Sequence, residues 1–295
     1  MPSCRDVPRE AVLIVNAHSR KGELLFRDAR SKLQDAGIRL TAAHAVKQAS
    51  RFPEQVRQAV ADGAPMIIVG GGDGSLSSAV DFLVGHDCVF ALLPLGTANS
   101  LARTLEIPLD LDGAIETIVS GRLRRMDLGV IDGDYFANCA AIGLAPMIGE
   151  SVPHGLKKYL GRLGYLLWAI WCLARFKPFE LSIETGGEVH RISALEVRIA
   201  NGRFHGGVEV IEEGDVDSGE IVVQAVVGQS RLRLAANWLA TLLRLPTRHD
   251  TIEFCGRSLR ITTEPPLAIS IDGEVTGRTP ALIEVAKQAI LVVVP

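Results

Sequence analysis

The sequence predicts an α/β domain built on a parallel sheet over residues 1–127, followed by a mainly antiparallel β-sandwich over 128–284, with 285–295 available to complete the first sheet. Three observations carry this reading. Up to Gly121, short apolar runs alternate with stretches of helical spacing, as in strands joined by crossover helices. Beyond it, β-like runs are broken by Asp132-Gly133, Gly186-Gly187 and Asp272-Gly273, which are strong hairpin signals. A chain of 295 residues is also longer than one core ordinarily serves.

Ala11 to Val15 reads as a buried strand that ends in the polar loop from Asn16 to Gly22 and feeds a helix closing near Gly37. Ile38 to Ala43 is a strand, and Pro53 to Ala61 a helix, with Pro53 suited to its first turn. Met66 to Val69 is a further buried strand. It runs into glycines 70, 71, 72 and 74 around Asp73, and Leu76, Val80 and Leu83 then mark the inner face of a helix. Val89 to Leu93 forms the next strand, followed by the loop Pro94-Leu-Gly-Thr-Ala-Asn99. In the second half, Leu195 to Ala200, Ile221 to Val227 and Leu267 to Ile271 read as strands, and Ala289 to Val294 as a last strand fitting either sheet.

The glycine turn carries the first chemical signal. Without side chains, backbone N–H groups approach a ligand closely at the positive end of a helix, where anions and above all phosphates bind. No lysine follows, so this is not a P-loop, and Ser77 stands where a dinucleotide fingerprint needs its third glycine. A tight turn without any ligand is the plainer alternative. Asp73 argues against it, because a carboxylate repels phosphate unless a cation bridges them, which points to a magnesium-loaded nucleotide. The loops beginning at Asn16, Gly70 and Pro94 leave strands at the same sheet edge, where ligands gather in α/β folds. One nucleotide site built from three loops then uses Asn16, Gly71, Gly72, Asp73, Gly74, Ser75, Gly96, Thr97 and Asn99. Read by themselves, Thr97 and Asn99 are better taken as caps of the following helix.

A formal charge of −3 gives no basic surface for nucleic acid. The five cysteines are scattered and form no Cys-x-x-Cys pair, against a zinc site or a disulfide framework and for a reducing compartment. Met1 to Glu10 lacks the apolar core of a signal peptide. Leu163 to Ala174, the longest nearly uncharged apolar stretch, falls short of the roughly 20 residues of a spanning helix. Leu156 to Phe176, with Trp168 and Trp171, and Arg231 to Arg248, with Trp238, are rich in lysine and arginine and contain no acid. Such segments either lie at the interface of an anionic membrane or pack on the sheet with their arginines as a solvated rim.

Taken in order over nearly the whole chain, a set of motifs resembles those of the soluble bacterial lipid kinases related to diacylglycerol kinases and sphingosine kinases. They are Val15-Asn16, Gly71-Gly-Asp-Gly-Ser75, Pro94 to Asn99, Asn138 with Ile142-Gly143, and Lys157 to Tyr165, then Asn201-Gly202 with Gly206-Gly207, Asp217-Ser-Gly219 and Asp272-Gly-Glu274. The resemblance implies an NAD kinase/diacylglycerol kinase-like first domain and transfer of the γ-phosphoryl group of ATP to a lipid hydroxyl in the cleft between the domains. It implies Glu274 as the general base with Asp272 as its neighbour, magnesium at Asp73, and Arg103 offsetting charge on the transferring group. It also places Asp127 in this acidic network and a structural magnesium at Asp217. By turn chemistry alone, Asp272-Gly273 would be only a hairpin.

Three departures stand out. The family usually has Asn-Glu where this chain has Ser77-Ser78, and often Asp where Ser100 stands, so magnesium is held by fewer carboxylates. The partners implied are a lipid substrate and an anionic membrane surface reached from the cytoplasm. The identity of the lipid and the oligomeric state, a homodimer included, are left open. The competing readings are a non-catalytic nucleotide- or lipid-binding relative and a kinase of a soluble substrate such as NAD.

Overall fold

The computed structural model describes residues 6–18, 20–153, 164, 167–202, 204–205, 208–209, 216–228, 230, 251–272 and 274–295. The expected helix at Lys157 to Tyr165 (but for residue 164), the basic segment Arg231 to Arg248 with Trp238, and Gly206-Gly207 lie outside them.

The first half alternates as its periodicity predicts: β1 (Glu10–Asn16), α1 (Arg20–Asp35), β2 (Arg39–Val46), α2 (Phe52–Ala61), β3 (Met66–Gly71), α3 (Asp73–Val80), β4 (Val89–Pro94), α4 (Ser100–Thr104) and α5 (Leu111–Ser120). Pro53 sits in the first turn of α2, and Asp110 caps α5 by accepting the Gly113 N–H at 2.8 Å. β2 runs three residues beyond the expected Ala43, because its last residues keep pairing with Ile14, Val15 and Asn16 of β1. All pairings among β1 to β4 are parallel, in the order β4-β3-β1-β2. Helices on both faces explain why β3 and β4 are buried at every residue.

The second half is antiparallel. It comprises β5 (Arg122–Ile131), β6 (Asp134–Phe136), β7 (Cys139–Gly143), α6 (Leu144–Ser151), a helix α7 over 167–175, β8 (Phe179–Thr185), β9 (Glu188–Ala200), the short pair β10 (Phe204–His205) and β11 (Val208–Glu209), β12 (Ile221–Val227), β13 (Thr251–Gly256), β14 (Ser258–Glu264), β15 (Ala268–Ile271), β16 (Glu274–Arg278) and β17 (Ala281–Val294). The three dipeptides expected to turn hairpins lie between β5 and β6, β8 and β9, and β15 and β16.

Two long strands change partners midway and make the corners of the sandwich. The first part of β9 pairs with β8, while Glu196 to Ala200 lie between β7 and β12. β17 pairs through Ala281 to Glu284 with β14, and through Leu291 and Val292 in parallel with β4. The last apolar run is therefore not a separate strand with a choice of sheets. It is the end of a strand that belongs to both. Two cores follow from this arrangement: Ile290 and Val292 to Val294 join the first, Ala281 and Ile283 the second.

Candidate active site

Adjacent parallel strands bring the three loops together. Val15 pairs with Gly70, and Gly70 and Gly71 with Leu93 and Pro94. Asn16 Nδ2 donates to Ser75 Oγ at 2.9 Å, joining the first loop to the helix that follows the glycines. Gly72 supplies no side chain to cap α3, so the first-turn amides are served by no side-chain acceptor at the cap position. A Cβ on Gly96 would collide with Gly72 Cα and lie 2.8 Å from Asn99 Oδ1. The two loops touch backbone to backbone, which only glycine permits there.

Asn99 occupies the N-cap position of α4, but its side chain makes no capping bond, contrary to the reading from its local sequence. With φ 50° and ψ 47°, it turns back on its own loop. Its Oδ1 accepts from Gly96 N–H at 2.9 Å, and its Nδ2 donates to the carbonyls of Gly96 at 3.1 Å and Pro94 at 3.3 Å. Arg103 braces the same loop, its Nε donating to the Ala98 carbonyl at 3.0 Å, while Thr97 is exposed. Asp73, the first residue of α3, accepts the Leu101 N–H of α4 at 3.3 Å.

The hairpin between β15 and β16 meets this assembly. Ser77 Oγ donates to Asp272 Oδ2 at 2.7 Å, across 195 residues of sequence. Asp272 holds a left-handed φ of 47°, donates its own N–H to the Cys139 carbonyl at 3.0 Å and accepts the Cys139 N–H on Oδ1 at 3.2 Å. Burial pushes its carboxyl from the usual 3.8 up to about 6; the Ser77 and Cys139 bonds pull it down, and the charge of Asp73 adds to the rise. Asp73 and Asp272 thus sense each other. Gly74, Ser77, Asp81, Tyr135, Asp272 and Glu274 line one crevice of about 270 Å³, with Glu274 exposed in it.

Asp81 and Asp134 border the crevice and were not among the expected residues. Burial first, and then the charge of Asp134, hold the Asp81 carboxyl above its usual range. Asp81 lies four residues after Ser77, so helical spacing alone could have placed the two on one face. Nothing local to Asp134 carries such a signal.

Asp127 and Asp217 form a second cluster. Both Asp127 carboxylate oxygens accept backbone amides at 2.7 Å, Oδ2 from Gly219 and Oδ1 from Gln288, and its N–H donates to the Val216 carbonyl at 2.7 Å. Asp217 Oδ2 receives both Nη2 and Nε of Arg124, at 2.6 and 3.0 Å. Asp127 is thus engaged by two backbone amides and Asp217 by the Arg124 guanidinium. Asp73 lies close enough to raise the Asp272 carboxyl, and two neighbouring carboxylates are the kind of oxygen donors that a hard divalent cation takes. Among the described residues, no three His, Cys, Asp or Glu side chains gather as a preformed metal cluster. Cys88 and Cys139 are free thiols that burial pushes up to about 12, so both are inert packing residues.

Comparison with known proteins identifies both halves of the chain. The diacylglycerol kinase catalytic domain matches residues 10–131, and the YegS C-terminal NAD kinase beta sandwich-like domain matches 141–294. Diacylglycerol kinases of Staphylococcus aureus strains JH9 and Newman are each 28% identical over 281 residues, covering 92% of this chain and 88% of theirs. A crystal structure of a candidate diacylglycerol kinase from Bacillus anthracis str. Sterne superposes with a TM-score of 0.80 at 23% identity, covering 100% of this chain and 98% of that one. A second structure from that strain, described as a diacylglycerol kinase, gives 0.76 at 20% identity, covering 99% and 98%. The chain belongs to the diacylglycerol kinase-like family of bacterial lipid kinases, phosphotransferases whose phosphate donor is ATP.

Proposed function

We propose that this kinase transfers the γ-phosphoryl group of ATP to a hydroxyl of a diacylglycerol-like lipid at an anionic membrane surface on the cytoplasmic side. The observation that carries the reading is the Ser77–Asp272 bond, which sets the helix of the glycine loop against the acidic hairpin in one crevice. The first-turn amides of α3 and the bare backbone at Gly72 and Gly96 receive phosphate oxygens. Asp73 would hold magnesium, which when bound neutralises charge on the phosphates. Arg103, fixed to the Ala98 carbonyl, adds positive charge beside the loop. A carboxylate oxygen of Glu274 takes the proton of the lipid alcohol, whose oxygen forms the new P–O bond as ADP leaves.

Helix α7 supports the membrane part of the reading. Its inner side, Trp168, Cys172 and Leu173, packs on the second core. Leu167, Ile170 and Trp171 remain 52%, 55% and 44% exposed, Trp168 stacks on Trp171 at 4.4 Å, and Arg175 lies 4.1 Å over the Trp171 ring. An outward apolar face edged by arginine suits an anionic interface. Among the described residues, no helix is long and apolar enough to cross a membrane.

Labelled ATP incubated with extracted total lipids tests the reading. Label should enter the lipid fraction, and Glu274→Gln should keep the fold while losing at least about a hundredfold in turnover. Label passing only to NAD or another soluble acceptor, or full turnover by the variant, would refute it.

A further inference from the structure

The two adjacent serines of α3 do different work. Ser78 Oγ donates to the Ser75 carbonyl at 3.1 Å and so stays within its own helix. Ser77 Oγ crosses the crevice to Asp272. On the far side the Asp272 carboxylate is anchored to its own domain through the Cys139 N–H. On the near side, among the described residues, Ser77 supplies the one side-chain hydrogen bond between α3 and the β15–β16 hairpin. Asp73, one turn before Ser77, is close enough for its negative charge to raise the Asp272 carboxyl, and like charges repel across the junction between hairpin and glycine loop. The junction needs a donor without negative charge of its own. A serine hydroxyl meets that need, whereas a carboxylate would add to the repulsion.

We propose that Ser77 is a positioning residue, a strap that holds the Asp272-to-Glu274 hairpin against the glycine loop in the phosphoryl-transfer geometry. The inference rests on the lipid-kinase reading for its catalytic consequence but not for the strap itself. Without the hydroxyl, the hairpin relaxes outward and carries Glu274 with it. The glycine loop keeps its own contacts through Asn16 and Asn99, so nucleotide affinity stays.

The test compares wild type, Ser77→Ala, Ser77→Thr and Ser78→Ala by two measurements. Amide hydrogen exchange reads the hairpin directly. Ser77→Ala should speed exchange of the Cys139 amide and of residues 268–278 several-fold, leave β1 and β3 unchanged as a control on folding, and be restored by Ser77→Thr. Kinetics with labelled ATP and extracted lipids should show Ser77→Ala losing about ten- to a hundredfold in kcat, the range expected for a hydrogen bond to a charged group, with KM for ATP within threefold. Ser77→Thr should recover most of that loss, and Ser78→Ala should stay within twofold of wild type. Unchanged exchange in Ser77→Ala overturns the strap, as does a loss carried by KM for ATP in place of kcat. A wild type that labels no lipid would sink the lipid-kinase reading alone, and the exchange measurement would still decide the strap.

Discussion

Replacing Asp272 by asparagine should make the protein more stable and less active, with a pH signature that identifies the cause. Burial raises this carboxyl from 3.8 to about 6, so the folded state bears an ionised group that the unfolded chain solvates more favourably. A rise of that size corresponds to ~3 kcal/mol at neutral pH, and the partial exposure of Asp272 reduces it to about 1–3 kcal/mol. The sign follows from proton binding. Between pH about 4 and 6 the native protein holds a proton that the unfolded chain has released, so stability falls as pH rises through that window and levels off above it. Asparagine has no such window, keeps an acceptor for the Cys139 N–H and offers its amide to Ser77 Oγ. Calorimetry at pH 7.5 should therefore show Asp272→Asn melting ~2–5 °C above wild type for a chain of this size, with the advantage shrinking to about a third at pH 4.5. Phosphoryl transfer should fall in the same variant, the usual trade between stability and a strained site. A variant less stable than wild type at pH 7.5, or an advantage that persists undiminished at pH 4.5, would show that desolvation of this carboxylate is not the governing effect.

Gly96→Ala forces the two loops apart where they touch, so it should lower the melting temperature by ~2–5 °C and weaken binding of a fluorescent ATP analogue at least about tenfold, read by calorimetry and titration. Because Arg124 already neutralises Asp217, EDTA should leave the melting temperature of the nucleotide-free protein within about 1 °C, whereas Arg124→Gln should make it sensitive to millimolar magnesium. Replacing Leu167, Ile170 and Trp171 together by serine should abolish flotation with anionic liposomes while leaving the melting temperature within a few degrees, since these side chains face outward.

Much of this architecture is legible in the sequence because its signals are local. A buried strand ending in glycines, the alternation of strands and helices, and the three hairpin dipeptides each announce themselves within ten residues. What escapes is set by distant partners. The apolar run Ala289 to Val294 is visible, but Glu284 to Ala286 belong to the same strand only through pairing with Leu128 to Val130, and the bulge that follows is fixed where Asp127, far upstream, takes the Gln288 amide. Asn99 reads as a cap from its position, yet its left-handed backbone aims its amide at Pro94 and Gly96. Ser77 and Ser78 are indistinguishable as letters, and only the hairpin 195 residues away decides which of them crosses the crevice. Family motifs named Asp272 and Glu274, but a motif records type and order. It carries no account of what fixes a carboxylate in place.

That account bears on how the crevice can move. The two cores are not beads on a linker, because β5 and β17 run side by side through both: Met126 and Leu128 lie in the first core and Ile131 in the second, while β17 passes the opposite way. Rotating one half against the other would have to bend this ribbon, and its one interruption is the register shift between Ala286 and Ile290. There Asp127 clamps the Gln288 and Gly219 amides with its two oxygens, and Asn201 donates to the Asp127 carbonyl at 2.8 Å. The natural hinge is thus stiffened by a buried carboxylate whose acceptors are both engaged. Motion then falls to the hairpin, whose strand β16 is exposed along its whole length and, among the described residues, pairs only with β15 and is fastened to α6 at its far end by the Arg278–Glu150 ion pair. β15 is buried and paired with β7, and Arg278 fastens the far end of β16, so it is the tip that has to be tied if Glu274 is to meet an alcohol in a fixed position, and the tip is where Ser77 reaches Asp272.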